Sequence, residues 1–287
     1  MTSETLPASR TGIRRSTIRT ILSQTLLSLV ALLFLTPIIW MVLSAIKPSA
    51  EVFTVPPKPF GSQIKLGNFA EAWNYLPFGR FIVNTVFVAS VGTAITLIAS
   101  ALSGYAFARL NFKYRGGLFV LYLSTLIVPQ EVIVIPMFLV MKDLGWVNSY
   151  KALILPWAFT AFGTFLLRQF FMTVPRELEE AAKLDGCGHL RILTRIFTPI
   201  ASPAFAVLAV FTFIGYWNSF LWPLIIINDT DKMTVPLGLQ SFLGQQGQRW
   251  ELLMAASTIS MIPTILLVLA LQRYLVKGIA LSGLGGR

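Results

Sequence analysis

The chain has 287 residues, of which 55% are hydrophobic and 12% charged, and its mean hydropathy is +0.72, values that exclude a soluble domain and point to an integral membrane protein. The formal net charge of +11 does not signal nucleic acid, because the basic residues sit at the ends of apolar runs rather than along one face. A lone cysteine, Cys187, and a lone histidine, His189, exclude internal disulfides, cysteine-rich metal sites and His-cluster metal chemistry, and leave little material for a catalytic triad.

Residues 1–20 are a polar tail carrying Arg10, Arg14, Arg15 and Arg19. The run from Thr20 to Ile46 is uncharged. A span needs about 20 residues, so this run is long enough to persist as a helix rather than act as a cleaved signal. Span 1 is placed at 21–46, with a kink at Pro37. The loop 47–80 is the longest, and Pro56-Pro57 and Pro59-Phe60-Gly61 are turn chemistry. Asn68 is read as the cap of a short helix ending at Tyr75. Trp73, Tyr75 and Phe78 suit a membrane interface.

Span 2 is placed at 81–108, where Gly92, Ala94, Ser100, Ser103 and Gly104 would let a neighbouring helix approach. A short basic loop follows, with Arg109, Lys113 and Arg115. Span 3 is placed at 117–141 and holds the one acid inside a span, Glu131, beside Pro129. Span 4 is placed at 151–171, span 5 at 197–228 and span 6 at 252–274, giving a membrane domain over 21–278. The last nine residues, 279–287, belong to a glycine-rich tail read as flexible. The fold expected is all-α with six transmembrane helices.

Between spans 4 and 5 lies a polar block, 168–203, holding four of the twelve carboxylates: Glu177, Glu179, Glu180 and Asp185. Such a block must face water. Thr173 is read as the cap of a helix with Pro175 in its first turn. The glutamates sit near the positive end of the helix dipole. Leu178, Ala181 and Ala182 form a small apolar strip, and Glu179 and Lys183 are ordered for an i,i+4 pair. Gly186 ends the helix. A second short helix follows, with Leu190, Leu193, Ile196 and Phe197 on one side. With six spans both termini share one side, and that side, with the 109–115 and 168–195 loops, holds fifteen of the 23 Lys and Arg. The positive-inside rule makes it cytoplasmic.

Glu180-Ala181-Ala182, Asp185-Gly186, then Ile196 and Pro199 at the matching spacing, resemble the cytoplasmic EAA loop of permease subunits from binding-protein-dependent ABC importers. Thr198 stands where the family has leucine, an apolar packing position. The resemblance extends along the chain. PPKP after span 1, Asn84-Thr85 opening span 2, QGQRWELLMAAS (246–257) and QRYLVKG (272–278) are similar to the carbohydrate branch, nearest its maltose- and glycerol-phosphate-type second permease.

This resemblance implies a machine with a second homologous permease, two ATPase subunits and an extracytoplasmic solute-binding protein in a bacterial or archaeal plasma membrane. The solute would be a saccharide. The helix around Glu180 would dock on the ATPase and couple its closure to alternating access. No cofactor is expected in this chain; ATP and Mg would be bound by the partner ATPase subunits. That fits the lack of a G-x4-G-K-[ST] phosphate loop, and neither H-E-x-x-H nor G-x-S-x-G occurs either.

Candidates for the translocation path are Glu131, Asn84, Asn218 and Trp217. Glu131 could meet a polar solute or satisfy backbone groups freed by Pro129. Asn84 and Asn218 could instead make interhelical hydrogen bonds. Trp217, Trp222, Phe220 and Tyr216 could stack on sugar faces or simply pack. Other readings are an ABC permease for a non-sugar solute, a stand-alone secondary transporter, for which only Glu131 could couple an ion, and a membrane enzyme, for which no catalytic constellation is present.

Overall fold

A computed structural model describes residues 11–243 and 249–284, with side chains for 18–243 and 249–272. It is all-α among these residues. The helices in order are α1 (Thr11–Ala45), α2 (Gly67–Tyr75), α3 (Phe78–Arg109), α4 (Arg115–Ser124), α5 (Gln130–Asp143), α6 (Tyr150–Ile154) and α7 (Ala161–Thr173). Then come α8 (Arg176–Leu184), α9 (His189–Ile192), a π turn over Leu193–Phe197, α10 (Thr198–Ile200), α11 (Ser202–Trp217), α12 (Leu221–Ile226), α13 (Val235–Gln240) and α14 (Trp250–Leu284). Segments Ile18–Ala45, Phe78–Arg109 and Trp250–Gln272 are each long and apolar enough to cross a membrane. Three bent pairs meet the same test jointly: Arg115–Ile127 with Gln130–Asp143, Tyr150–Trp157 with Ala161–Thr173, and His189–Ile200 with Ser202–Trp217.

Those pairs bend within the stretches read as spans. Span 3, placed at 117–141, turns by 102° at the proline read as opening the helix. Val128 is extended, as a residue before proline prefers, and Pro129 takes the cap of α5. Span 4 bends by 45°, and Thr160 caps the second half by accepting from the Phe162 N–H at 3.2 Å. In the stretch read as span 5, 197–228, an 83° turn separates His189–Ile200 from Ser202–Trp217, and α11 ends at Trp217. Pro203 fits the first turn of α11, where an N–H would be orphaned anyway. The break at 218–220 likewise puts Pro223 in the first turn of α12, where its missing N–H leaves no ladder bond unmade.

The ends differ too. The first ten residues of the 1–20 tail lie outside the described residues, but the chain is already helical from Thr11. The 279–287 tail is helical as far as Leu284, with 285–287 outside the described residues. Asn68 is no cap: it lies inside α2, buried, and donates to the carbonyls of Ala45 and Lys47 at 2.8 and 2.9 Å. It thereby ties α2 to the end of α1. In the loop between them the Glu51 carboxylate accepts from the Ser62 hydroxyl and backbone N–H, which hold it below its ordinary range.

Helix α3 is the axis of the molecule. Its 32 residues extend about 48 Å and enter three apolar clusters in turn. Phe78 and Phe81 pack with Ala72, Val235, Phe242 and Leu252. Val88 and Ala89 pack with Ile154, Trp217 and Trp222. Ala101 and Tyr105 pack with Leu167, Phe171, Ile192 and Phe197. The small residues allow this. A Cβ on Gly104 would stand 3.1 Å from the Arg168 backbone nitrogen and 3.2 Å from the Thr164 carbonyl. The Ser103 hydroxyl meets that of Thr164 at 2.7 Å. Ala94, expected at this seam, is exposed instead. Because the close neighbours of Gly104 are backbone atoms, Gly104→Val should force α7 away and cost about 1–3 kcal/mol. The check is the melting temperature of the detergent-purified protein, with Ala94→Val close to wild type.

Candidate functional site

The polar block folds as the short helix α8 and the α9–α10 segment after it. The start of α8 differs from expectation. Pro175 occupies the cap position, and Thr173 turns back to donate to the Phe170 carbonyl of α7 at 2.7 Å. Glu177 and Glu179 lie in the first turn, toward the positive end of the dipole. The far end closes as expected. Gly186 has φ +77°, a conformation that costs glycine little and other residues more. Its N–H reaches the Lys183 carbonyl at 3.0 Å, and the Cys187 N–H reaches the Ala182 carbonyl at 2.9 Å. This pair of bonds is a Schellman closure.

Helix α8 leans on its own chain. Ala182 is buried in the cluster with Tyr105, Phe171 and Ile192, and Cys187 packs on the same cluster. Glu179 is 5% exposed. Its carboxylate meets Lys183 Nζ at 2.8 Å and faces Arg109 Nε at 3.9 Å, a charge contact rather than a hydrogen bond. The Arg109 side chain is itself 6% exposed. Its Nη2 donates to the Phe171 carbonyl at 2.6 Å and to the Val174 carbonyl, and the guanidinium lies 5.0 Å from the Phe197 ring centre. One arginine at the end of α3 thus grips the end of α7, the linker, α8 and the π turn.

The expected apolar strip divides. Ala182 faces in, while Leu178, Ala181 and Leu184 face out with Glu180, Asp185 and Gly186. In the following segment Ile192, Leu193 and Phe197 are buried, Ile196 is half-buried, and Pro199 is exposed. Leu190, expected on the packed side, is exposed because α9 lasts one turn before the π turn resets the register. Thr198 donates to the Leu193 carbonyl at 2.9 Å across that turn, a bond leucine could not make. His189 is exposed and shares a 3.2 Å hydrogen bond with the Tyr105 hydroxyl.

The other candidates separate. Asn84 is buried and engaged: it donates to the carbonyls of Asp231 and Met233, both at 2.9 Å, and accepts from Tyr150 at 2.8 Å. These are bonds between elements, as in the alternative reading. Trp217 is 4% exposed and stacked on Phe213 at 5.7 Å. Trp222 is fully buried and donates to the Ala152 carbonyl at 2.7 Å. Asn218 is exposed at the end of α11, and Glu131 is exposed in the first turn of α5. A cavity of about 280 Å³ lies where α5, α7 and α11 meet, with Gln130, Trp157, Thr160, Phe162, Thr212 and Tyr216 in its wall.

A family of known proteins shares this pattern. The family described as "Binding-protein-dependent transport system inner membrane component" matches residues 97–281. The chain belongs to that family. A relative, the arabinooligosaccharides transport system permease protein AraQ of Bacillus subtilis (strain 168), is 32% identical over 90% of this chain and 93% of its own. The sulfoquinovosyl glycerol transport system permease protein SmoH of Agrobacterium fabrum is 32% identical, with 87% and 88% covered. The sn-glycerol-3-phosphate transport system permease protein UgpE of Yersinia enterocolitica is 36% identical, with 86% and 91% covered. A solved bacterial ABC transporter involved in the import of the acidic polysaccharide alginate has a chain of the same fold, with TM-score 0.77 and 24% identity over 94% of this chain and 100% of that one. The fold recurs, at TM-score 0.60 and 19% identity over 90% of this chain and 93% of that one, in the bacterial alginate ABC transporter in complex with alginate pentasaccharide-bound periplasmic protein.

In this permease, sequence reasoning missed the grip of Arg109, read as a loop charge, and did not single out Thr160, Thr212 and Ser219 in the cavity wall. Arg109→Ala takes the buried counter-charge from Glu179, leaving it Lys183 alone, and frees two carbonyls, at a cost of about 3–5 kcal/mol. Hydrogen–deuterium exchange over residues 171–185 should then rise by at least about tenfold. Lys183→Ala, which removes a half-exposed partner, should change it far less.

Proposed function

We propose that this permease is one of two different membrane subunits of an ATP-driven sugar importer, and that α8 is the element through which ATPase subunits act on it. The observation that carries this reading is the two-sided character of α8. Its inner side is fixed by Glu179, Ala182 and Arg109, while Glu180, Ala181 and Leu184 are presented outward. A helix of nine residues is marginal alone in water. Held this way, it can pass a push from a docked partner into α3 and α7 rather than yield.

In this reading Glu180 makes polar contact with the ATPase, and Ala181 and Leu184 fill its apolar groove. Gly186 with Asp185 sets the sharp turn, and Ile196 and Pro199 seat the following segment. ATP and Mg²⁺ are held by two partner ATPase chains. The termini and α8 face the cytoplasm, on the side richer in Lys and Arg, and a solute-binding protein delivers the cargo on the other. AraQ and SmoH, with sugar cargo in their names, support a saccharide. UgpE favours a second reading, a phosphorylated polyol.

The test uses the reconstituted complex with its ATPase and binding protein. Glu180→Arg should lower ATP-dependent uptake and solute-stimulated ATP hydrolysis together, by at least about tenfold, with the subunit still inserted and folded. Normal uptake by this variant with its ATPase bound would remove α8 from the coupling role.

A further inference from the structure

We infer that the cavity between α5, α7 and α11 is a subsite for one uncharged sugar ring of the cargo, carried by this subunit itself. The inference rests on the importer reading above and adds which part of this chain meets the solute and what charge that solute has. The cavity forms because spans 3 and 4 break where they do. Gln130 opens α5 directly after the break at Pro129, and Thr160 opens α7 after the break that follows Trp157. The third wall is one face of α11, in which Thr212 and Tyr216 stand four residues apart, closed by Ser219 just beyond the helix.

The lining chemistry suits a sugar better than a lipid chain. Aromatic faces from Trp157, Phe162, Phe211 and Tyr216 offer the flat apolar contact that the C–H face of a pyranose or furanose takes. Gln130, Thr160, Thr212 and Ser219 add an amide and three hydroxyls, able both to donate and to accept. An acyl chain would offer these groups no hydrogen bond. The indole Nε1 of Trp157 is buried with no hydrogen-bond partner among the described residues. The volume, about 280 Å³, is near the small end of ligand pockets and fits one ring rather than a chain of several.

The charge of that ring follows from what is absent. Among the described residues, no lysine, arginine or histidine lines the cavity. A carboxylate, sulfonate or phosphate placed there would be desolvated without a counter-charge, which is strongly unfavourable. The partial positive charge of the α5 N-terminus does not substitute, because Glu131 already occupies its first turn. The α7 N-terminus has its Phe162 N–H taken by Thr160. The cavity therefore accepts neutral rings and discriminates against the anionic cargo named for SmoH and UgpE.

The test measures ATP-driven uptake by the complete reconstituted complex, with arabinotriose and maltotriose as neutral probes and the alginate trimer and glycerol 3-phosphate as anionic ones. A neutral saccharide should be carried. The Thr212→Val/Ser219→Ala pair, which removes two hydroxyls and little volume, should lower its uptake by about tenfold or more with the complex still co-purifying. Thr36→Val, which removes an exposed hydroxyl bonded within its own helix, should leave uptake unchanged. Saccharide uptake indifferent to the paired substitution overturns the subsite and leaves the sugar importer standing. Transport of the alginate trimer alone overturns the uncharged-ring assignment in the same way. Transport of no saccharide at all overturns both.

Discussion

The contact on which the α8 end of this fold depends is the grip of one buried guanidinium. Arg109 ends α3, and from that position it holds two backbone carbonyls, faces a buried carboxylate and lies against an aromatic ring. Charge taken out of water is tolerated only where it is paired and hydrogen-bonded. The elements around Arg109 therefore have little freedom to separate one at a time. The same requirement explains why Glu179, rather than the neighbouring Glu180, turns inward: the arginine needs an anion, and position 179 shares the helix side of buried Ala182.

A second constraint shapes the rest. Backbone polar groups inside a bilayer must find partners within the protein, so a break in a span is tolerated only where side chains or neighbouring helices answer it. Here the breaks fall at Pro129, at the cap Thr160 and before Pro203, each a residue that either lacks an N–H or supplies an acceptor. The bends are not defects in the bundle. They are what leaves polar groups and a cavity inside an otherwise apolar bundle.

Much of this was legible in the sequence. The all-α class followed from composition and run length. The end of α8 was legible because a local signal, Gly186, fixes it, and the Glu179–Lys183 pair because its spacing is a property of the helix alone. The small residues of α3 announced the close approach of α7. What was not legible lay at long range. Nothing near Arg109 in the chain points to Glu179, seventy residues on. The breaks were hidden because a hydropathy run has the same composition whether straight or bent; Pro129 and Pro203 carried the signal, but prolines also occur inside unbroken helices, as Pro37 does in α1. The aromatic cluster at 216–222 misled in part. Trp217 and Trp222 pack in the interior, and only Tyr216 reaches the cavity wall.

Helix α3 has one more consequence. It is continuous from Phe78 to Arg109 and without a proline, while spans 3, 4 and 5 on either side of it in the fold are each jointed. An unbroken rod among jointed ones carries displacement along its length instead of absorbing it. Movement imposed on Arg109 would then reach Asn84 and the loop it anchors, near the opposite end of the rod, without any chain of intermediate rearrangements. The jointed helices around it would do the bending.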